Sequence, residues 1–165
     1  MLSYDVGETS PPLLDETIGD NLARTAATFP DRDALVDCAT GRRWTYCAFY
    51  EATRRIASGL ISRGIEPGER IGIWSPNCAE WPMIQYATAQ VGAILVNINP
   101  AYRTDELEFA LNQSSICMVF AAPSFKASDY VSMLDSVRAR CLALSDVVVI
   151  GRESWQQIAD TAVDE

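Results

Sequence analysis

The stretch Gly92–Leu111, GAILVNINPAYRTDELEFAL, reads as strand, loop and helix in immediate succession, and that succession admits few folds. Ile94, Leu95 and Val96 form an apolar, β-rich run of the kind a parallel sheet buries on both faces. Asn97-Ile98-Asn99-Pro100 halts the run, because proline brings no N–H to a central ladder. The pattern predicts a helix from Thr104. Asp105 and Glu106 fall in its first turn, where carboxylates complement the positive end of the helix dipole, and Leu107, Ala110 and Leu111 share one face. In open parallel sheets, ligands bind at such strand-to-helix loops.

From Arg70 onward, short apolar runs alternate with helical segments, which predicts an α/β fold: a parallel sheet with crossover helices, preceded by a short β-hairpin. The expected strands are 70–74, 93–98, 116–121 and 146–150, with helices near 78–91, 104–113 and 126–139 and right-handed crossovers. Upstream, Thr17 and Asp20 signal a helix start feeding Leu22, Ala26 and Phe29. Ala34–Asp37 and Arg43–Tyr46 read as a hairpin whose turn, Cys38-Ala39-Thr40-Gly41, ends on a glycine suited to positive φ. Thr45 is placed to cap a helix carrying Phe49, Ala52, Ile56 and Leu60, and Gly64 lies where a left-handed C-terminal cap belongs. Residues 1–13 read as a loose leader and 14–165 as one α/β unit. The final WQQIADTAVDE reads as an amphipathic helix cut short, so the chain is expected to be truncated.

Composition removes whole classes of chemistry. The net charge of −9 repels nucleic-acid backbones and anionic membrane surfaces. With no histidine, there is no Ser-His-Asp or Cys-His couple and no ordinary histidine-ligated zinc site. The five cysteines, at 38, 47, 78, 117 and 141, are irregularly spaced without a Cys-x-x-Cys pair, which suits a reducing cytoplasm. The first twenty residues carry several acids, no basic residue and no long apolar core, against a signal peptide, and no run has the length of a membrane span.

The phrase NINPAYRTDEL at 97–107, followed by LNQS, resembles the N-terminal region of fatty-acyl-CoA synthetases, members of the adenylate-forming (AMP-binding) family. The resemblance continues through PLLDETIGDNL at 12–22, ALVDCATGRRWTY at 34–46 and GIEPGERIGIWSPNCAEW at 64–81. It implies the N-terminal subdomain of the adenylate-forming fold. It also implies a parent reaction in which ATP activates a fatty acid through an acyl-adenylate to the CoA thioester, with ATP, Mg²⁺ and CoA as the full-length family's cofactors. The family's Ser/Thr/Gly-rich loop followed by Pro-Lys-Gly has no match here, and Lys126, the only lysine, follows Ser-Phe rather than a glycine-rich run. No catalytic residue or metal ligand is assigned, no cofactor is demonstrable in this chain, and activity alone is not expected.

Parallel strands bring the loops 75–77, 99–103 and 123–126 to one edge, and Arg103 and Lys126 beside helix N-termini could hold a phosphate. The resemblance implies that Asn99, Tyr102, Arg103 and Lys126 face the nucleotide of coenzyme A. Each has a structural counterpart reading: Tyr102 packs on the sheet edge, and Arg103 pairs with Asp105 or Glu106. Asn77 and Glu80 have capping-box spacing, and Cys78 in a first helical turn could have a lowered pKa or be a small core residue. Trp74 and Trp81 could border an apolar tunnel but fit a core better. Three readings of the whole follow: part of an acyl-CoA synthetase served by a complementing C-terminal chain, a standalone CoA-, nucleotide- or subunit-binding module, or a non-functional remnant.

Overall fold

The computed structural model describes residues 3–8 and 10–163; Met1, Leu2 and Thr9 of the leader and the final Asp164-Glu165 lie outside the described residues. Helix α1 (Ile18–Thr28) starts where Thr17 accepts the Asp20 backbone N–H at 3.1 Å. A two-stranded antiparallel hairpin, β1 (Asp33–Val36) and β2 (Arg43–Thr45), follows, its turn passing through Gly41 at φ +74°. Thr45 then caps α2 (Tyr46–Ser62) by accepting from Ala48 N. That helix ends in a Schellman arrangement: Gly64 sits at φ +81°, its N–H bonds Ile61 O, and Ile65 N bonds Leu60 O.

Four parallel strands form the sheet: β3 (Arg70–Trp74), β4 (Ile94–Asn97), β5 (Met118–Ala121) and the last, β8 (Asp146–Val149). Their spatial order is β4-β3-β5-β8. Register aligns Ile73 with Asn97, Trp74 with Ala121 and Ala121 with Val149, so the carboxyl ends finish along one edge. Between them run α3 (Glu80–Gln90), α4 (Thr104–Gln113) and α5 (Tyr130–Arg138), and α6 (Glu153–Ala159) follows β8.

Strand side chains alternate between two apolar layers. Ile71, Ile73, Met118, Phe120 and Val148 face α1, α2, α3 and α6, packing with Leu22, Phe49, Leu60, Ile84 and Ile158. Trp74, Val119 and Ala121 face α4 and α5, packing with Leu107, Leu111, Tyr130, Leu134 and Val137. The α/β expectation and the helix at 104–113 match the structure. The helix expected over 126–139 does not. It begins only at Tyr130, and the residues before it form a small hairpin, β6 (Ser124–Phe125) paired with β7 (Ser128–Asp129). Lys126 sits in its turn at φ +52°, and Asp129 caps α5 by accepting from Ser132 N at 3.1 Å.

Candidate functional site

The edge is built on Trp74, the last residue of β3. Its indole N–H donates to Asn99 O at 3.1 Å, and its ring stacks on Tyr130 with centroids 3.5 Å apart and planes 6° from parallel. The Tyr130 hydroxyl donates in turn to Pro100 O. Both rings are fully buried, so the β4–α4 loop hangs from two aromatic side chains that cannot swing without opening the core. Burial pushes the Tyr130 phenol up to about 12. Trp81 is partly buried and packs against the other core layer, so both tryptophans take the core role.

The sequence-selected residues divide here. Asn99 is exposed, but its side-chain oxygen accepts the Ala101 N–H at 2.9 Å and so shapes its own loop. Tyr102 packs against the second core layer and lines a groove of about 270 Å³ with Asp105, Glu106 and Phe109. That groove is acidic, which disfavours phosphate on its side of the loop. Arg103 precedes α4 and its backbone N–H donates to the Glu106 carboxylate at 2.8 Å. Its guanidinium does not pair with Asp105 or Glu106 among the described residues. It reaches across to Ser128 Oγ at 2.6 Å, tying the β4–α4 loop to β7.

Lys126 lies beyond that contact, its ammonium 5.2 Å from the Phe125 ring centroid. With Ser124, Ser128, Asp129, Arg152 and Ser154 it lines an open cleft of about 730 Å³. Two cations therefore share one cleft, and Arg103 approaches it through Ser128. Asp129 also lines it, and hydrogen bonds from the Ser132 backbone and hydroxyl hold its carboxyl below the usual range. Arg152 was not among the sequence-selected residues. It follows Gly151 just past β8, and the same edge rule that selects the loops after β3, β4 and β5 selects this one.

Two local readings are corrected. Asn77 does not cap α3: the helix starts after Ala79 with no side-chain cap, and Glu80 instead pairs with Arg42 of the hairpin at 3.0 Å. Cys78 is not activated. Burial raises its thiol pKa, and its sulfur lies 3.4 Å from Ser75 Oγ. What the edge gathers is positive charge, from Lys126 and Arg152 in the cleft and Arg103 beside it.

The model of the AMP-binding enzyme family matches residues 22–165. A medium-chain acyl-CoA ligase of Danio rerio, named as mitochondrial, is 41% identical over 132 residues, covering 80% of this chain and 22% of that protein. Among solved structures, the N-terminal domain of FACL13 from Mycobacterium tuberculosis superposes with TM-score 0.80 at 27% identity, covering 91% of this chain and 38% of that one. A long-chain-fatty-acid-CoA ligase from Archaeoglobus fulgidus gives 0.84 at 25% identity, covering 99% of this chain and 34% of that one. The chain thus spans about a fifth of the length of the curated relatives it matches. On the family match and on the fold it shares with fatty acyl-CoA synthetase N-terminal domains, the chain belongs to the AMP-binding enzyme family.

Proposed function

We propose that this chain serves as the N-terminal α/β unit of an acyl-CoA synthetase whose complete reaction is ATP-dependent activation of a fatty acid, through an acyl-adenylate, to the CoA thioester. The observation that carries the reading is near-complete coverage of this chain by the N-terminal parts of such enzymes. Residues 14–165 act as one unit in this reading, with 1–13 as a leader, and a complementing C-terminal segment supplies what the unit lacks. The residues present do not fit ATP or Mg²⁺: no glycine-rich loop precedes the lysine, and no group of three metal-capable side chains gathers among the described residues. No step is therefore derived through either.

Coenzyme A fits better. Its phosphates match the cationic cleft, where Lys126 and Arg152 would bind them directly and Arg103, held by Ser128, would add long-range attraction. Asn99 and Tyr102, on the neighbouring loop, would border the uncharged base of the nucleotide, away from its phosphates. Bound CoA supplies the thiol that accepts the acyl group. Among the described residues no helix is long and apolar enough to cross a membrane. Five free cysteines support a reducing compartment, the cytoplasm in our assignment.

Two measurements test the reading. With ATP and a medium-chain fatty acid, the chain alone should give no pyrophosphate exchange; a robust signal would place adenylation within these residues and overturn the division of labour. Calorimetry with CoA should give heat that weakens with added salt, and Lys126→Ala or Arg152→Ala should each weaken binding by roughly two- to fivefold, about 0.5–1 kcal/mol. No heat at millimolar CoA would remove the assignment of all five loop residues.

A further inference from the structure

A further cavity is lined by two cysteines that the function above does not use. It measures about 270 Å³ and is lined by Leu35, Val36, Asp37, Cys38, Asn77, Cys78 and Ala79. Cys38 comes from the β1–β2 turn and is exposed; Cys78 comes from the segment entering α3 and is half-buried. The two elements are already held together, because Arg42 bridges Asp37 of the turn at 3.2 Å and Glu80 of α3 at 3.0 Å. From this shared cavity and tether we propose that Cys38 and Cys78 form a peroxide-responsive thiol pair, oxidised by hydrogen peroxide to a disulfide that fastens the hairpin to the start of α3.

The roles follow from exposure. Solvent reaches Cys38, so its sulfur meets the oxidant first. The O–O bond of the peroxide breaks, Cys38 takes one oxygen as sulfenic acid, and the other oxygen leaves as water. Cys78 then attacks the Cys38 sulfur and gives up its proton. The S–S bond forms as the S–O bond breaks, and a second water departs. Two thiols lose two electrons in all, and one peroxide becomes two waters. Burial raises the Cys78 thiol pKa and shields its sulfur, so Cys78 meets the oxidant second and acts as resolving partner only as it loses its proton. A disulfide needs the two Cα atoms within about 7 Å. Asp37 holds the turn by accepting from Ala39 N, Thr40 N and the Thr40 hydroxyl, so forming the bond draws this turn and the segment entering α3 together across the cavity they share. The cross-link would also hold the 75–77 loop, which shares the sheet edge with the CoA cleft, so oxidation would rigidify one flank of that edge.

The test treats the purified chain with equimolar hydrogen peroxide, blocks remaining thiols and maps disulfide-linked peptides by mass spectrometry. A Cys38–Cys78 peptide should dominate, with the intact monomer lighter by two hydrogens. Cys38→Ser should abolish the monomeric disulfide, whereas Cys78→Ser should accumulate a Cys38 sulfenic acid that dimedone traps. Oxidised wild type should melt at a higher temperature than reduced, and Cys38→Ser, altering an exposed turn, should erase the difference. A dominant Cys38–Cys47 link, linkage only between molecules, or an unchanged disulfide yield in Cys78→Ser would each overturn the proposal.

Discussion

Tyr130 shows how one residue can hold a loop. Its ring is fully buried against Trp74 and its hydroxyl donates to Pro100 O, so removing that oxygen leaves a carbonyl short of a donor. Tyr130→Phe should cost about 1–2 kcal/mol in urea denaturation. The same phenol sets an alkaline limit. Its folded pKa is pushed up to about 12 against the ordinary 10, so between those values the folded state keeps a proton that the unfolded chain has released. The sign is therefore unfavourable with rising pH: the contribution is complete below 10 and is lost from 10 to 12, to a total of about 2–3 kcal/mol. Stability measured across that window should fall less steeply in Tyr130→Phe than in wild type. Equal slopes would show that burial does not control this group.

Between elements, α2 meets α6 closely at Gly59. A Cβ on Gly59 would stand 2.4 Å from Ile158 Cγ1 and 2.7 Å from Ile158 O, and the backbone oxygen cannot rotate away. Gly59 is helical, so in isolation alanine would favour α2, by about 1 kcal/mol. Packing should win. Gly59→Ala is expected to destabilise by about 1–3 kcal/mol net, with Trp155 fluorescence reporting a displaced α6. A neutral or stabilising result would mean that α6 shifts without loss. Partner pairs such as Arg63 with Asp146, at 2.9 Å, add little here because they are partly solvated.

Across the molecule, the sheet is covered on both faces. One layer packs under α1, α2, α3 and α6 and the other under α4 and α5, leaving β4 and β8 as edges. A core enclosed in this way predicts one cooperative transition: far-ultraviolet circular dichroism and tryptophan fluorescence should trace coincident melting curves for the purified monomer. Separated curves, with strong binding of a hydrophobic dye, would support the remnant reading instead.

Local order was legible wherever one segment carried its own reason. β3 at 70–74 and α4 at 104–113 follow from periodicity, and Thr17, Thr45 and Gly64 mark caps whose partners lie within a turn of the helix they bound. Contacts between distant residues were not legible. Glu80 has capping-box spacing from Asn77, yet its carboxylate goes to Arg42, and the choice depends on where the hairpin docks. Lys126–Asp129 reads as the start of a helix over 126–139, but the pairing of Ser124 with Asp129 turns the segment into a hairpin and places Lys126 in a left-handed conformation. The strand order β4-β3-β5-β8 then brings the loop after β8 beside that hairpin, so Arg152 and Lys126 share a cleft while Tyr102 faces an acidic groove. Helix and strand type rest on short-range sterics and the spacing of apolar residues, which the chain carries along its length. Which charges meet rests on how the sheet is ordered, and that order exists only once the two apolar layers have been buried together.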